Sequence, residues 1–250
     1  PGVEWNHSAQ DAAAMVRDYT KWDDLPISLT HFAESAVRAY KIAMTPPRGP
    51  IVLVADSDLQ ERPVTDRSKL HIPRLTLTRP PAADAAAIAD LAKLLVAAEN
   101  PVLLGGQAIR TPEAMKNLIE LAETLQAPVV GGKFPSRHPL SGGGNLIRTA
   151  DLIVGMDVSD LWGTVNNYRD QQERSSQLII KKDAKLVSIT SNDLYLKSNY
   201  QNFQRYTEVD MAIAADPDAT LPSLLEAVKR LITGDRKRVF EERGKKLPAA

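Results

Sequence analysis

Short apolar runs alternate with stretches of helical periodicity from residue 84 to residue 233. This alternation is the sequence feature that most restricts the folds that the chain can adopt. Strands that alternate with helices of this length are typical of a parallel sheet with helices on both faces. The predicted strands are 101–104, 128–130, 151–155, 185–190 and 210–214. The predicted helices are 84–97, the stretch that Thr111 caps with Pro112 at its first position, and 221–233, with Thr220 as its cap and Gly234 as its stop. The sequence therefore predicts an α/β fold.

The first 57 residues supply one strong helix and one strand. The helix follows Ser28 or Thr30 and ends before Pro46 and Pro47, because proline cannot continue a helix. The strand covers 51–55, and a shorter helix is predicted at 10–18. One helix and one strand are too little for a layered domain, so we interpret this segment as part of one.

The chain is accordingly divided into four parts. Residues 1–57 form a partial α/β segment, and residues 58–82, which are charged, aperiodic and rich in proline, form a linker. Residues 83–234 form the main domain, and residues 235–250 form a charged helix or tether. The chain opens on Pro-Gly rather than Met, which indicates a processed, truncated or incompletely represented polypeptide.

The composition argues against several classes of function. Lys plus Arg and Asp plus Glu both number 31, so no overall field attracts nucleic acid or an anionic membrane. The absence of cysteine rules out disulfides, thiolate zinc sites and a cysteine nucleophile. No apolar stretch reaches the roughly 20 residues that a membrane-spanning helix needs. We expect a cytoplasmic protein that binds neither nucleic acid nor membrane.

Glycines at the ends of the predicted strands are the first candidates for a ligand site. Gly105 and Gly106 follow one strand, and Gly155 ends another. Ligands of open parallel sheets bind outside the carboxyl ends of the strands, and glycine lets a phosphate approach the backbone. Tight turns explain the same glycines equally well. Neither G-x-G-x-x-G nor the P-loop motif occurs, so a bound nucleotide would need another loop pattern.

The remaining motifs leave two further interpretations open. The glycine run at 141–145 precedes a short predicted helix and is either an anion nest or a flexible connection. His138, in the loop 134–138, either faces a ligand or packs the loop. The four histidines show no spacing typical of a helical metal pair, and the sequence predicts no metal ligand within the chain.

Three stretches in order resemble the thiamine-diphosphate-dependent enzymes of the acetolactate synthase-like superfamily. The first is Gln10-Asp11 with Val16-Arg-Asp-Tyr-Thr-Lys-Trp22, and the second is Pro47-Arg-Gly-Pro-Ile-Val-Leu-Val-Ala-Asp56. The third combines Ala98-Glu-Asn-Pro-Val-Leu-Leu-Gly-Gly106, Leu121-Ala-Glu-Thr-Leu-Gln-Ala-Pro-Val-Val130 and Ala150-Asp-Leu-Ile-Val-Gly155. The first two resemble the end of a pyrimidine-binding domain, and the third resembles a central domain with a six-stranded parallel sheet of dinucleotide-fold type.

The resemblance implies roles for six residues. Gln10 matches a glutamine near the reactive end of the cofactor, and Lys21 matches a lysine of the access channel, so both are predicted as catalytic. Gly105, Gly106, Gly155 and Asp157 match strand ends where some members bind FAD or ADP. FAD is disfavoured here, because Met156-Asp-Val-Ser stands where those members have Phe-Asp-Asp-Arg.

The resemblance also implies parts that this chain does not carry. The family's early glutamate is absent, and so is the Gly-Asp-Gly segment that binds Mg²⁺ on the diphosphate; Thr233-Gly-Asp-Arg continues differently. We therefore expect the 250 residues alone to be inactive, with residues 235–250 leading toward a diphosphate-binding domain and most ligands of thiamine diphosphate and Mg²⁺ outside the chain.

Two functions remain open at this point. The first is part of a thiamine-diphosphate-dependent carboligase or decarboxylase, a transferase or lyase that acts on 2-keto acids as a homodimer or homotetramer. The second is a stand-alone module that binds ADP, FAD or NAD, or that only scaffolds a dimer, without catalysis.

Overall fold

A computed structural model describes residues 9–168, 175–194 and 205–246. The chain divides between Arg79 and Pro80 into an N-terminal unit and a central unit. The predicted boundaries after residues 57, 82 and 234 stay predictions, and their outermost residues, 1–8 and 247–250, lie outside the described ranges. Within those ranges, no helix combines the length and the apolar character needed to cross a membrane.

The N-terminal unit is a two-stranded parallel sheet with one long helix. Its strands β1 and β2 pair in parallel, with Trp22 opposite Ile51. In chain order its elements are 3-10 helices Ala12–Met15 and Arg17–Tyr19, β1 (Trp22–Asp24), α1 (Leu29–Met44), β2 (Ile51–Leu53), α2 (Ser57–Glu61) and a 3-10 helix Arg67–Lys69. The last two lie in the predicted linker, which is otherwise without regular structure.

The structure corrects two predictions in this unit and decides between the two helix caps that the sequence left open. The helix predicted at 10–18 is wrong, because two short 3-10 turns replace it and the Asp11 carboxylate caps the first by accepting from Ala14 N. Ser28, not Thr30, caps α1, and its hydroxyl oxygen accepts from His31 N at 3.1 Å. The predicted strand 51–55 is shorter, since β2 ends at Leu53.

The central unit contains a six-stranded, all-parallel sheet, as the resemblance implies; the residue pattern alone predicts five of its strands. The strand order is β10-β9-β6-β3-β4-β5. Its elements are α3 (Ala85–Ala97), β3 (Pro101–Gly105), α4 (Pro112–Leu125), β4 (Val129–Val130), β5 (Ser141–Gly142), a 3-10 helix Gly144–Arg148, β6 (Leu152–Met156), α5 (Leu161–Val165), β7 (Asn166–Tyr168), β8 (Ser176–Leu178), β9 (Lys185–Ile189), a 3-10 helix Ser191–Leu194, β10 (Met211–Ile213), α6 (Pro217–Leu231) and α7 (Gly234–Lys246). Strands β7 and β8 form a separate antiparallel pair.

Both faces of the sheet are covered, because its strands are apolar on both sides. In β3, Leu103 packs on one face with helices α3, α4, α6 and α7, while Val102 and Leu104 pack on the other. The second face is covered by shorter segments that include α5 and the 3-10 helix 144–148. The predicted fold class, a parallel sheet with helices on both faces, is confirmed.

The capping residues explain why one predicted helix start agrees with the structure and another does not. The prediction for α4 is confirmed, since Thr111 Oγ1 accepts from Ala114 N at 3.1 Å and Pro112 is the first helical residue. The prediction for α6 is wrong: the helix begins at Pro217 with Asp216 as its cap, and Thr220 lies inside it. Gly234 does not end α6, which stops at Leu231, but begins α7.

Helix α7 covers the described part of the charged C-terminal stretch and packs on the other helices of the central unit. The Phe240 ring of α7 is buried, and the buried Arg243 guanidinium donates to Leu125 O at 2.9 Å and Ala98 O at 2.8 Å. Arg236 also donates to Ala98 O, at 2.8 Å. These carbonyl groups lie at the C-terminal ends of α4 and α3, where cations are favoured. Burial lowers the pKa of Arg243 to about 10.

Candidate functional site

The strand order places a topological switch point at the carboxyl ends of β3 and β6. The chain leaves β3 toward β4 and β5 on one side, and β6, β9 and β10 lie on the other. Gly105 pairs with Met156 in the sheet, and Gly155 pairs with Leu104. Gly105, Gly106, Gly155 and Asp157 are therefore brought together where open α/β sheets bind their ligands. Their role in cofactor binding stays a prediction.

The backbones that follow β3 and β6 are in direct contact. Gln107 N donates to the Asp157 carbonyl oxygen at 2.8 Å. A β-carbon on Gly106 would lie 2.7 Å from the Met156 carbonyl oxygen and closer still to that of Asp157. Glycine is therefore required at position 106 by the approach of a neighbouring loop of the same chain.

The Asp157 side chain is buried between the two loops and the end of β9. Its carboxylate accepts from Thr190 Oγ1 at 2.9 Å, from Ser191 N at 3.1 Å and from Arg110 Nη1 at 3.1 Å. Asp157 also has a left-handed backbone, with φ of 47°. Burial raises the pKa of Asp157 above 3.8, and the three hydrogen bonds oppose that rise.

The Arg110 guanidinium forms ion pairs with three carboxylates at the same edge of the sheet. Its guanidinium bonds Asp157 and the fully buried Asp216, and its Nε lies 3.8 Å from Asp218 Oδ2. We call Arg110, Asp157, Asp216 and Asp218 the Arg110 cluster. Burial, the largest single influence, lowers the pKa of Arg110, but the carboxylates together raise it above its ordinary value. The cluster ties together the loops after β3, β6 and β10.

At this edge of the sheet, the Asp218 carboxylate binds the backbone of the β3–α4 loop. Its two carboxylate oxygens accept from Ile109 N at 2.6 Å and from Arg110 N at 2.9 Å. Ile109 has φ of 69°, a left-handed conformation that β-branched residues rarely adopt. The loop is thus shaped so that two successive N–H groups point at one carboxylate.

Comparison with known proteins identifies the domain. The sequence model of the thiamine pyrophosphate enzyme central domain matches residues 88–224, which is more than half of the chain. The chain belongs to the thiamine pyrophosphate enzymes.

Individual proteins show the same relationship. The sulfoacetaldehyde acetyltransferase of Rhodobacter capsulatus is 30% identical over 143 residues, which are 52% of this chain and 22% of that protein. The sulfoacetaldehyde acetyltransferase of Roseovarius nubinhibens is 35% identical over 102 residues, 35% of this chain and 17% of that protein. The chain thus spans about a fifth of these relatives. The structure of benzoylformate decarboxylase from Polynucleobacter necessarius shares the fold, with a TM-score of 0.69 and 23% identity over 88% of this chain and 40% of that one.

Thiamine pyrophosphate and its Mg²⁺ do not fit the polar groups of this domain. In residues 9–168, 175–194 and 205–246, no three His, Asp or Glu side chains are placed to hold a metal ion. The carboxylates at positions 157, 216 and 218 face the guanidinium of Arg110. That most ligands of thiamine diphosphate and Mg²⁺ lie outside the chain stays a prediction.

The two predicted catalytic residues belong to the N-terminal unit. Gln10 is exposed and directly precedes Asp11, the cap of the first 3-10 helix. The half-buried Lys21 ammonium donates to Ile42 O at 3.0 Å and to Thr45 O at 2.6 Å, the carbonyl groups at the end of α1. Burial lowers the pKa of Lys21. These contacts give Lys21 a structural role in α1; the catalytic roles of both residues stay predictions.

An ion-pair network that the sequence analysis missed holds the segment between these two residues. Arg17 bonds both carboxylate oxygens of Asp11, at 2.8 and 2.9 Å, and both of Asp23, at 3.0 and 2.9 Å. The spacing of six residues on either side of Arg17 was the available signal. Because Asp23 lies in β1, the network attaches the loop that carries Gln10 to the sheet.

His138 packs its loop against α4. Its Nδ1 accepts from Leu140 N at 3.1 Å, its Nε2 lies 3.3 Å from a Glu123 carboxylate oxygen, and its ring stands edge-on to Phe134. The loop-packing interpretation is therefore confirmed. The glycine run at 141–145 forms β5 and the start of a five-residue 3-10 helix, in place of the predicted helix N-terminus.

Proposed function

We propose that the whole protein is a thiamine-diphosphate-dependent enzyme in which this central domain has a structural role. The observation that carries the structural role is the Arg110 cluster. At the sheet edge where ligands of this fold bind, Arg110 and its three carboxylates are engaged with one another and with backbone N–H groups. Groups held in this way stabilise the domain, and the reaction is assigned to the other domains.

The reaction class follows from the cofactor. Thiamine diphosphate, when bound, stabilises negative charge on a carbon that was part of a carbonyl group. We propose decarboxylation or carboligation of a 2-keto acid, in the manner of the acetolactate synthase-like enzymes. Gln10 and Lys21 are the residues of this chain that we propose near the substrate, and Mg²⁺ is proposed as the partner of the diphosphate.

A second candidate comes from the curated relatives. Two proteins that are 30% and 35% identical to parts of this chain are named sulfoacetaldehyde acetyltransferases. Their identity lies above the 23% shared with benzoylformate decarboxylase. We therefore propose sulfoacetaldehyde, an aldehyde with a sulfonate group, as the alternative substrate.

An activity assay of the intact protein tests both candidates. The protein is freed of cofactor and incubated with pyruvate, the simplest 2-keto acid, or with sulfoacetaldehyde plus inorganic phosphate as the acceptor of the acetyl group, with sulfite as the leaving group. Each mixture is tested with and without thiamine diphosphate and Mg²⁺. We expect consumption of one substrate only when both additions are present. Equal consumption without thiamine diphosphate, or no consumption of either substrate by folded protein, would contradict the proposal.

The oligomeric state is proposed on the same basis. Family members bind thiamine diphosphate between two subunits, so we propose a homodimer or homotetramer. Light scattering after size-exclusion chromatography of the intact protein gives the mass. A monomer that turns over substrate would exclude this arrangement.

A further inference from the structure

The crevice at the carboxyl ends of β3 and β6 is where a nucleotide of this fold would lie, and three features of it can be compared with what a nucleotide needs. A bound pyrophosphate needs space between the two loops, free backbone N–H groups and a favourable charge. The proposed catalytic function does not bear on this comparison, because the groups concerned all belong to the central unit.

The first feature is the space between the loops. The hydrogen bond from Gln107 N to the Asp157 carbonyl oxygen, 2.8 Å long, joins the two loops directly. Gly106 is so close to residues 156 and 157 that even one added carbon would overlap them. A pyrophosphate between these backbones would have to separate them.

The second feature is the set of N–H donors. Ile109 N and Arg110 N, the successive donors of the β3–α4 loop, both bond the Asp218 carboxylate. At the end of β9, Ser191 N bonds Asp157 Oδ1 at 3.1 Å, and Asn192 N bonds Thr190 Oγ1 at 3.1 Å. Acceptors from the protein itself thus take the donors that a phosphate would use.

The third feature is the charge. One guanidinium faces the carboxylates of Asp157, Asp216 and Asp218, so the ionised cluster carries an excess of negative charge. Arg110, the cation best placed to bind a phosphate, is already engaged with Asp157 and Asp216.

We infer that this crevice is closed to ADP, FAD and NAD, and that the Asp218 carboxylate occupies the place of a phosphate on the N–H groups of Ile109 and Arg110. The domain fills its own anion site with a side chain. The closed crevice distinguishes this domain from the family members that bind FAD or ADP at the matching strand ends.

Calorimetric titration of the intact protein with ADP, FAD and NAD tests the closure. We expect no saturable heat up to about 1 mM, a concentration at which even a millimolar site is half filled. Saturable binding of any of the three at the central unit would overturn the inference. Activity with thiamine diphosphate is measured separately, so the two proposals can fail independently.

Removal of the internal carboxylate tests the role of Asp218. In Asp218→Ala, inorganic phosphate should raise the melting temperature in a saturable manner, whereas the wild type and Asp235→Ala should respond alike and weakly. Asp235 is the matched control because it also lies in the first turn of a helix, but it is exposed and paired with Arg238. A folded Asp218→Ala protein that ignores phosphate would overturn the assignment.

Amide hydrogen exchange of the wild-type protein tests the same inference without a variant. In the wild type, the peptide that contains Ile109 and Arg110 should exchange slowly because both amides bond Asp218, and ADP should leave its rate unchanged. Fast exchange at these amides, or protection that increases with ADP, would show that the site is open.

Discussion

Arg110 Nη1 lies 3.1 Å from a carboxylate oxygen of Asp157, and this contact joins the loop after β3 to the loop after β6. The same guanidinium bonds Asp216, whose side chain is fully buried at the start of α6. One cation thus holds the segments that follow three strands of the sheet. The edge that binds ligands in related folds is here a point of structural support.

Loss of Arg110 is expected to destabilise the central unit strongly. In Arg110→Met, two buried carboxylates lose their counter-ion, and breaking a buried ion pair from one side costs about 3–5 kcal/mol. The free energy of unfolding in urea measures this loss. Arg238→Met is the control, because Arg238 forms an exposed pair within one helix and its removal should leave the midpoint almost unchanged. Equal midpoints for the two variants would contradict the structural role of the cluster.

A methyl group at position 106 is expected to be far more harmful than one at position 143. In Gly106→Ala the new carbon meets the Asp157 backbone, and overpacking of this kind costs roughly 1–3 kcal/mol. Gly143 has open space around its β-position and φ of −81°, so Gly143→Ala should be neutral or slightly stabilising. Thermal unfolding of both variants checks the difference, and a stable Gly106→Ala protein would mean that the two loops do not touch.

The stability due to Asp24 is expected to depend on pH. A hydrogen bond from the Ser35 hydroxyl, assisted by His31, lowers the pKa of Asp24 below 3.8. A carboxylate whose pKa is lower in the folded state than in the unfolded state stabilises the fold at pH values above the unfolded-state pKa. This contribution is lost as the pH falls through the folded-state pKa. The gap in unfolding free energy between wild type and Asp24→Asn should therefore be full at pH 6 and should shrink below about pH 4.

The matched control for that experiment is Asp58→Asn, which removes an exposed carboxylate of the same unit. Its effect on the unfolding free energy should be small, because exposed ion pairs contribute little to stability. A gap for Asp24→Asn that does not change between pH 6 and pH 3 would exclude the proposed contribution of the Asp24 carboxylate.

Replacement of Lys21 separates its structural contacts from its predicted catalytic role. Lys21→Met removes a charged donor from two carbonyl groups at the end of α1, which should cost about 1.5–3 kcal/mol in the unfolding of the N-terminal unit. Lys21→Arg, which keeps a cation, should recover part of this loss. If Lys21→Met lowers kcat and leaves the unfolding midpoint unchanged, the structural account of Lys21 is wrong.

The sheet could be predicted from the sequence because its strands carry an unusually direct signal. The runs at 101–104 and 152–155 are apolar throughout, which is typical of strands buried on both faces, and β3 and β6 are the two central strands. Edge strand β5 was missed, since Ser141 and Gly142 have neither the length nor the apolar character of a strand. The start of α6 was misplaced because Asp216 outcompetes Thr220 as a cap, with Pro217 directly after it.

The candidate site could be predicted only in part. Glycines at strand ends mark close backbone approach, and the structure shows that at Gly106 the approaching group is another loop of the protein. The Arg110 cluster left no local signal, because Arg110 and Asp216 are 106 residues apart and meet only through the order of the strands. A pattern of residue types along the chain does not contain that contact.

Parallel calorimetric titrations of the cofactor-free intact protein, with thiamine diphosphate plus Mg²⁺ and with ADP, test the account most directly. The account predicts saturable binding of thiamine diphosphate and no binding of ADP, because the catalytic cofactor binds outside a closed central domain. Saturable binding of ADP without binding of thiamine diphosphate would contradict it, and would identify the protein as a nucleotide-binding module.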